Sequence, residues 1–270
     1  MGADTMAAPA GAPVATAPAW PANLPPMPAV DHSQFGEVET IELSRTQKMV
    51  AAFLSRNWAQ IPHVTHHDEV EIDGVEALRK SMAHEQGIKL SLIPFLIKAV
   101  VNALQAFPRF NASLAPGGDK LVLKHYFNVG VAVETPQGLV VPVIRDCDKK
   151  PIAELAAELA DKAERARGKG LPMSDMSGGC FSISSLGAIG GTAFTPIINA
   201  PEVAILGVTR AAPRLTMVDG QIRSGLVLPL SLSYDHRVIN GADAARFCRF
   251  IAEALAQPAS LSEAPSFNPQ

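Results

Sequence analysis

Apolar segments of two different periodicities alternate along this chain, and only a few kinds of fold accommodate such an alternation. Segments with apolar residues at helical spacing are followed by short runs in which apolar residues alternate or stand together, as in strands. Helices are predicted at residues 43–58, 75–86, 91–107, 151–170 and 242–256, and strands at residues 61–73, 121–135, 138–146, 178–187, 202–210 and 226–237. The third helix is apolar on nearly every side, which indicates that it is buried. The sequence therefore predicts an α/β fold with a mixed sheet.

The composition changes sharply near residue 35. Alanine and proline dominate the preceding residues and charge is nearly absent, so this part cannot bury enough surface to offset its ordering entropy. We interpret residues 1–34 as an extended linker that follows another module, with a simple disordered tail as the alternative. Residues 35–257 form the predicted folded domain, and residues 258–270 form a polar tail broken by prolines.

Charge and cysteine content argue against several functional classes. The formal net charge of -3 gives no reason to expect nucleic acid or an anionic membrane as a main partner. The three cysteines, Cys147, Cys180 and Cys248, have no CxxC spacing, which predicts a reducing compartment with neither disulfides nor a zinc site. No apolar stretch reaches the roughly 18 residues of a membrane span, and the first residues do not resemble a secretory signal.

The histidine-rich segment HVTHHDE, residues 63–69, invites interpretation as a metal site. On a strand, however, His63 and His67 point to one face while His66 and Asp68 point to the other. Neither face collects three ligands from this segment alone. We therefore expect a solvated strand face here and no metal site.

Two polar side chains stand where predicted apolar strands end. His236 follows the run LVLPLSLSYD, with a turn predicted beyond it at Asn240–Gly241, and Ser184 lies near the end of the run CFSISSLG. A histidine base and a hydroxyl donor on separate strand ends are the minimal set for acyl transfer. A Ser-His-Asp hydrolase is a poor alternative, because Asp235 is next to His236 on a strand and points to the opposite face. We expect Asp235 to pair with Arg237 instead.

The segment SYDHRVINGADAARF, which contains His236, resembles the C-terminal motif of the dihydrolipoamide acyltransferases, the cores of 2-oxo-acid dehydrogenase complexes. It is also similar, more distantly, to the HxxxDG motif of chloramphenicol acetyltransferase. The block GGCFSISSLGAIGGTAFTPIINAPEVAILGV resembles the acetyl-specific branch that serves pyruvate dehydrogenase complexes. YFNVGVAVETPQGLVVPVIRD and RNWAQIPHVT match too, so the resemblance covers about residues 35–257. It implies a chloramphenicol acetyltransferase-like two-layer fold, with a mixed β-sheet and flanking helices.

The resemblance also implies a role for each of the two strand-end residues. His236 is the implied general base, which takes the proton from the thiol of coenzyme A or of dihydrolipoamide. Ser184 is the implied hydrogen-bond donor to the tetrahedral oxyanion, and not a nucleophile. Ser185 is expected to face away and serves as a control.

Four neighbours of His236 are expected to support the site structurally: Asp235, Arg237, Asn240 and Gly241. Asn240 stands where HxxxDG has aspartate, so it keeps the hydrogen bonding and loses the charge. Arg79, in the second predicted helix, is a candidate contact for the phosphates of coenzyme A. An ordinary solvated cation is the equal alternative for Arg79.

The implied activity is acetyl transfer between the dihydrolipoyl group of a lipoyl domain and coenzyme A, in the core of a pyruvate dehydrogenase complex and without a metal. A transferase for another 2-oxo-acid or acetoin dehydrogenase complex, and an inactive core scaffold, are the alternatives. Lipoyl domains, pyruvate dehydrogenase and dihydrolipoamide dehydrogenase are the implied partners, the enzymes being reached through upstream modules that we do not recognise in this chain. The implied location is the cytoplasm in a bacterium and the mitochondrial matrix in a eukaryote.

The family forms its sites between subunits of a trimer, with histidine from one chain and serine from its neighbour. We therefore expect a homotrimer. Many relatives dock trimers through a hydrophobic C-terminus, for example into a cubic core of twenty-four subunits. Here the tail is mostly polar, with Leu261 and Phe267 as its large apolar residues, so the cubic core stays an open alternative.

Overall fold

The computed structural model describes residues 28–136, 138–218 and 220–261 of the chain. The predictions for the linker up to residue 27 and for the polar tail from residue 262 lie outside these residues. Between residues 28 and 44 the chain forms one turn of 3-10 helix, His32–Gln34, and is otherwise irregular and exposed. The first α-helix begins at Arg45, so residues 35–44 of the predicted folded domain contain no helix or strand.

All five predicted helices are present in the described residues. They are α1 (Arg45–Gln60), α2 (Asp73–Gln86), α3 (Ile93–Ala106), α4 (Ile152–Arg167) and α5 (Gly241–Ala256). None of the described helices combines the length and the hydropathy that crossing a lipid bilayer requires. The strands are β1 (His63–Glu71), β2 (Ala112–Leu114), β3 (Leu121–Leu123), β4 (Val129–Val131), β5 (Val133–Thr135), β6 (Gly138–Val140), β7 (Val143–Ile144), β8 (Phe181–Ser185), β9 (Ala204–Val208), β10 (Ala212–Val218) and β11 (Gln221–Asp235).

Seven strands form the main sheet, in the order β1-β11-β9-β8-β4-β7, with β10 also paired to β11. β8 runs parallel to β9 and to β4, whereas β11 runs antiparallel to β1, β9 and β10. The predicted mixed sheet is therefore confirmed. Two separate hairpins, β2–β3 and β5–β6, lie outside this sheet.

Helices α3 and α5 pack together beneath the sheet and build the core. The side chains of α3 are buried along most of its length, as its apolar sequence predicts. In α5, the ring of Phe247 stacks on Phe110 with centroids 3.9 Å apart and lies 5.8 Å from Phe181 of β8. This packing fixes the strand that carries Ser184 and the strand that leads to His236 in one layer.

The strands predicted at residues 121–135 and 138–146 are wrong as continuous strands. The chain divides there into β3, β4, β5, β6 and β7, which belong to three sheets. After β3, Nδ2 of Asn111 donates to the carbonyls of Lys124 and Tyr126, so these groups need no strand partner. Pro142, which has no N–H to donate, separates β6 from β7. Apolar alternation alone does not reveal side-chain hydrogen bonds of this kind.

The strand that leads to His236 is longer than predicted. β11 has 15 residues and pairs through its outer half with β10. Residues 227–235 are buried, whereas residues 221–224 are exposed. The sequence predicts a strand only from residue 226, because the outer, polar part lacks a run of apolar residues.

Candidate active site

Ser184 lines a cavity of about 830 Å³ between α1 and the sheet. Side chains alternate along β8, so that Phe181 and Ile183 enter the core while Ser182 and Ser184 face the cavity. This volume is in the range of small-molecule sites. A hydroxyl donor is thus presented in a pocket whose wall is otherwise mostly apolar and includes Val50, Phe53, Phe194, Ile197 and Ile205.

A glycine shapes the sheet beside Ser184. Gly207 of β9 is the register partner of Ser184, and a Cβ at this position would lie 2.6 Å from Cζ of Phe194. Only glycine therefore allows the Phe194 ring to lie directly over the strand next to the hydroxyl. Ser185, the next residue of β8, is exposed and lies outside the cavity lining, which confirms that it faces away.

His236 is the first residue after β11, and its main chain is tied to the start of β1. Its N–H donates to the carbonyl of Pro62 at 3.1 Å, and its ring lies 5.8 Å from that of Tyr234. The imidazole is exposed and is not among the groups that line the cavity around Ser184. β9 lies between β11 and β8 in the sheet, so the single chain does not bring His236 and Ser184 together.

Asp235 is buried and engaged by Arg237, as the sequence analysis expects. Oδ1 of Asp235 accepts from the N–H and Nε of Arg237 at 3.0 and 2.9 Å, and Oδ2 accepts from Nη2 at 2.7 Å. Several charge-assisted bonds within one pair fix both side chains. Both carboxylate oxygens of Asp235 are therefore bonded to Arg237, and Asp235 does not orient the imidazole of His236.

The predicted turn at Asn240–Gly241 is wrong by a few residues. The turn comes directly after β11, where the N–H of Val238 donates to the carbonyl of Asp235 at 2.9 Å. Asn240 is instead the N-cap of α5: its Oδ1 accepts from the N–H of Asp243 at 2.9 Å. Its Nδ2 also donates to the Asp243 carboxylate at 2.8 Å. The signal for a cap, Asn followed three residues later by Asp, was present in the sequence.

A buried carboxyl that the sequence analysis missed lies behind the cavity. Glu202 is 4% exposed, and burial raises its pKa to about 7, although Ser182, Lys124 and Asn199 oppose the shift. Ser182 and Asn199 both line the cavity, and Nδ2 of Asn199 donates to Oγ of Ser182 at 3.4 Å. Among the described residues Oε2 of Glu202 has no hydrogen-bond partner. The titratable carboxyl of Glu202 therefore lies directly behind residues that line the same cavity as Ser184.

Arg79 does not line the cavity around Ser184. Its Nε and Nη2 donate to the carboxylate of Glu76 at 2.7 Å each, and its Nη1 donates to the carbonyl of Leu90. Hydrogen bonding to Arg79 lowers the pKa of Glu76. The structure thus places Arg79 in a local ion pair, and a contact with coenzyme A phosphates stays a prediction.

The histidine-rich strand β1 is not the solvated face that the sequence analysis expects. Nδ1 of His63 lies 2.8 Å from the carbonyl of Ile61, and its Nε2 accepts from the N–H of Ile198 at 3.0 Å. On the same face, Nδ1 of His67 lies 3.0 Å from Oγ of Ser231. As predicted, His63 and His67 lie on one face of the strand and His66 and Asp68 on the other. His63, however, is hydrogen-bonded within the fold rather than solvated.

Comparison with known proteins gives a consistent family. A family model described as 2-oxoacid dehydrogenases acyltransferase (catalytic domain) matches residues 35–262. The dihydrolipoyllysine-residue acetyltransferase component of the pyruvate dehydrogenase complex of Pseudomonas aeruginosa is 52% identical over 243 residues, and that of Cupriavidus necator is 54% identical over 237 residues. The matches cover 89% and 87% of this chain but 44% and 42% of those proteins, so the chain spans less than half their length.

The solved structures that superpose on this chain indicate the same family and the same fold. The dihydrolipoamide acetyltransferase of Azotobacter vinelandii, studied for the role of a serine, a histidine and an asparagine in its catalytic mechanism, superposes with a TM-score of 0.85 at 49% identity, over 88% of this chain and 99% of that one. The cubic core of a pyruvate dehydrogenase multienzyme complex gives 0.85 at 50% identity, with the same coverage. Chloramphenicol acetyltransferase gives 0.52 at 17% identity, over 81% of this chain and 99% of that one. The predicted fold class is thereby confirmed.

Proposed function

Because this chain belongs to the 2-oxoacid dehydrogenase acyltransferase family, we propose that it transfers an acetyl group between a dihydrolipoyl group and coenzyme A. The proposal rests on the spacing of three residues along the chain. Ser184, His236 and Asn240 stand in the same order and at the same separations as the serine, histidine and asparagine studied in the Azotobacter vinelandii enzyme. The relatives at about half identity are named acetyltransferases, which favours acetyl over other acyl groups.

His236 is the proposed general base. An exposed imidazole at the end of a buried strand is held by its main chain and remains open to a ligand. It takes the proton from the attacking thiol, and the thiolate adds to the thioester carbonyl of the acetylated carrier. When the tetrahedral intermediate collapses, the C–S bond to the first carrier breaks and the departing thiolate takes the proton back from the imidazolium.

Ser184 is the proposed donor to the oxyanion of that intermediate. Its hydroxyl faces a mostly apolar cavity, where a hydrogen bond to a developing charge is stronger than in water. The ring of Phe194 lies over the strand at Gly207 and forms the wall beside this hydroxyl, against which the reacting carbonyl would lie. Ser184 forms no covalent bond in this scheme.

A complete site needs two copies of the chain in this proposal. Ser184 lines the cavity and His236 does not, so an imidazole from a second copy must reach the serine of the first. The N-terminal segment and α1 leave Phe35, Ile41 and Trp58 exposed at 80%, 76% and 61%, apolar surface that a neighbouring copy would cover. A homotrimer fits this need, and the cubic core of a relative makes further assembly a second possibility to test. Lipoyl domains and the other component enzymes are the proposed partners of the assembled core.

The deciding experiment is acetyl transfer from acetyl-coenzyme A to free dihydrolipoamide, measured for the chain and for two variants. We expect His236→Ala to lower kcat by several orders of magnitude and Ser184→Ala to lower it by about 10² to 10³. Ser185→Ala, one residue away on the exposed face, is the matched control and should keep full activity. A folded oligomer that shows no transfer would overturn the proposal and favour an inactive scaffold.

The choice of acyl group is tested in the same assay. Acetyl-, propionyl- and branched acyl-coenzyme A compete for transfer, and the ratio of their kcat/KM values measures the preference. We expect acetyl to be preferred. A higher kcat/KM for a longer acyl group would assign the chain to another 2-oxo-acid dehydrogenase complex while leaving the roles of His236 and Ser184 intact.

A further inference from the structure

A histidine, a carboxylate and a thiol meet between β1 and α5, on the face of the sheet opposite the cavity. One ligand atom from each of His66, Asp68 and Cys248 lies within 4.8 Å of the other two. His66 and Asp68 are half-buried and open to solvent, whereas Cys248 is buried beneath them. The strand alone lacks a third ligand, which is why the sequence analysis expects no metal here. The packing of α5 on β1 supplies it.

We infer that His66, Asp68 and Cys248 form a site for one divalent cation of the zinc class. An imidazole nitrogen, a carboxylate oxygen and a thiolate sulfur are the three ligand types that zinc accepts, whereas calcium and magnesium require oxygen ligands. One thiolate and one carboxylate balance the two charges of the cation, so the bound site is neutral. The proton of the Cys248 thiol leaves to solvent when the metal binds.

The geometry requires only a small adjustment. Tetrahedral zinc with ordinary bond lengths places its ligand atoms about 3.5 Å apart. The three atoms are at most 4.8 Å apart, so about an ångström of side-chain movement closes the site. Water fills the fourth position, because His66 and Asp68 leave the solvent side open.

Arg249 is the group that competes with the cation. Its Nη1 donates to both carboxylate oxygens of Asp68, at 3.0 and 2.9 Å, and half of its side chain is exposed. Because the Arg249 side chain is half exposed, solvent weakens this ion pair, and a metal can take over the carboxylate of Asp68. Arg249 therefore lowers the affinity of the site for the cation without preventing binding.

A bound cation would join the two elements on either side of His236. β1 pairs with the end of β11, where His63 lies opposite Asp235, and α5 begins at Gly241. The segment with His236 lies between these points. The cation would act as a clamp that stabilises the fold around the base, and it would take no part in chemistry.

The test is titration of the untagged, metal-free oligomer with Zn²⁺ by calorimetry and with Co²⁺ by absorbance, in buffer without thiol reagents. We expect one Zn²⁺ per chain, a rise in Tm on zinc addition, and the thiolate-to-cobalt charge-transfer absorption that marks a sulfur ligand. Cobalt binding without that absorption would overturn the inference, as would the absence of saturable binding.

Variants locate the site. Cys248→Ser and His66→Gln should each weaken zinc binding at least about tenfold, whereas Arg249→Ala should strengthen it because Asp68 is freed. His67→Gln on the opposite face and Cys180→Ser at a distant buried thiol are the matched controls and should bind as the unmodified chain does. Equal affinity in His66→Gln, a half-buried position whose change leaves the core intact, would contradict the inference even if Cys248→Ser fails to fold.

Discussion

At the scale of single residues, Glu202 carries the clearest pH-dependent prediction. Burial raises its pKa from the ordinary value of 4.5 to about 7. Between these two values the folded chain keeps a proton that the unfolded chain has lost. The contribution of this carboxyl to the free energy of unfolding is therefore present below pH 4.5 and is lost as the pH rises to 7, by about 1.4 kcal/mol per pH unit.

The change that tests this is Glu202→Gln, a side chain of the same shape that does not titrate. Urea unfolding of both proteins between pH 5 and pH 8 should show the variant gaining stability relative to the unmodified chain until about pH 7, then a constant difference. Lys124→Met, which removes the neighbouring positive charge, should move that plateau to higher pH. A difference that does not change with pH would mean that Glu202 ionises as an ordinary surface carboxyl.

Residues at strand ends could be identified from the sequence, whereas residues defined by burial could not. His236 and Ser184 interrupt apolar runs, and that interruption is visible in the chain itself. Glu202 also borders an apolar run, but the run does not show that folding buries this carboxyl, and burial is what raises its pKa. In the same way, Cys248 approaches His66 only through the packing of a helix on a strand.

At the scale of elements, the start of α5 depends on an asparagine whose side chain both accepts and donates a hydrogen bond. Oδ1 of Asn240 accepts from the N–H of Asp243, and Nδ2 donates to the Asp243 carboxylate. An aspartate keeps the first bond but cannot make the second, and it places two negative charges about 3 Å apart. That repulsion exceeds the 0.3–1 kcal/mol that a negative charge gains at a helix N-terminus.

We therefore expect Asn240→Asp to lower the free energy of unfolding by about 1–2 kcal/mol at pH 7, and Asn240→Ser, which keeps a cap, to lower it by less. Arg246, 3.0 Å from Asp243, offsets part of the repulsion. Urea unfolding at pH 7 and pH 4.5 separates the causes, because the deficit of the aspartate variant should shrink as the pH falls. An aspartate variant as stable as the unmodified chain would show that the Nδ2 hydrogen bond contributes nothing.

The helices, whose apolar residues recur at a clear spacing, are predicted well from the sequence. The short strands, whose ends depend on particular side chains, are not. All five helices follow from apolar residues at helical spacing, and Ser44 caps α1 through a reciprocal bond with Gln47, as a capping box. The short strands β3 to β7 merge into two runs in the sequence. The hydrogen bonds of Asn111 depend on the fold, and Pro142, which has no N–H to donate, stands inside an apolar run. Local pattern fixes the type of an element, while tertiary contacts decide where it stops.

At the scale of the whole molecule, one chain holds the two halves of the proposed site apart. Ser184 lies on β8 and His236 directly follows β11, with β9 between these two strands, and only Ser184 faces the cavity. Sequence periodicity cannot show this, since it describes faces of single elements and not contacts between copies. The resemblance to a family with shared sites predicted it, and the geometry of the single chain requires it if the two residues act together.

The outer hairpin, residues 212–218 of β10 and 221–226 of β11, gives the last prediction. Met217 lies opposite Ile222 and on the same face as Leu215, and these side chains are 75%, 71% and 75% exposed. Fully burying each would contribute about 1.5–3 kcal/mol, so an uncovered face of this kind favours contact with a second copy. Sedimentation velocity of the unmodified chain at micromolar concentration should accordingly show an oligomer.

Leu215→Glu combined with Ile222→Glu should shift the chain to smaller species and reduce acetyl transfer per chain, because the proposed site needs residues from two copies. Thr216→Glu adds charge to the opposite face of the same hairpin and should leave both the mass and the activity unchanged. A double variant that keeps the mass of the unmodified protein would place the contact elsewhere, with the exposed apolar residues of the N-terminal segment and α1 as the next surface to change.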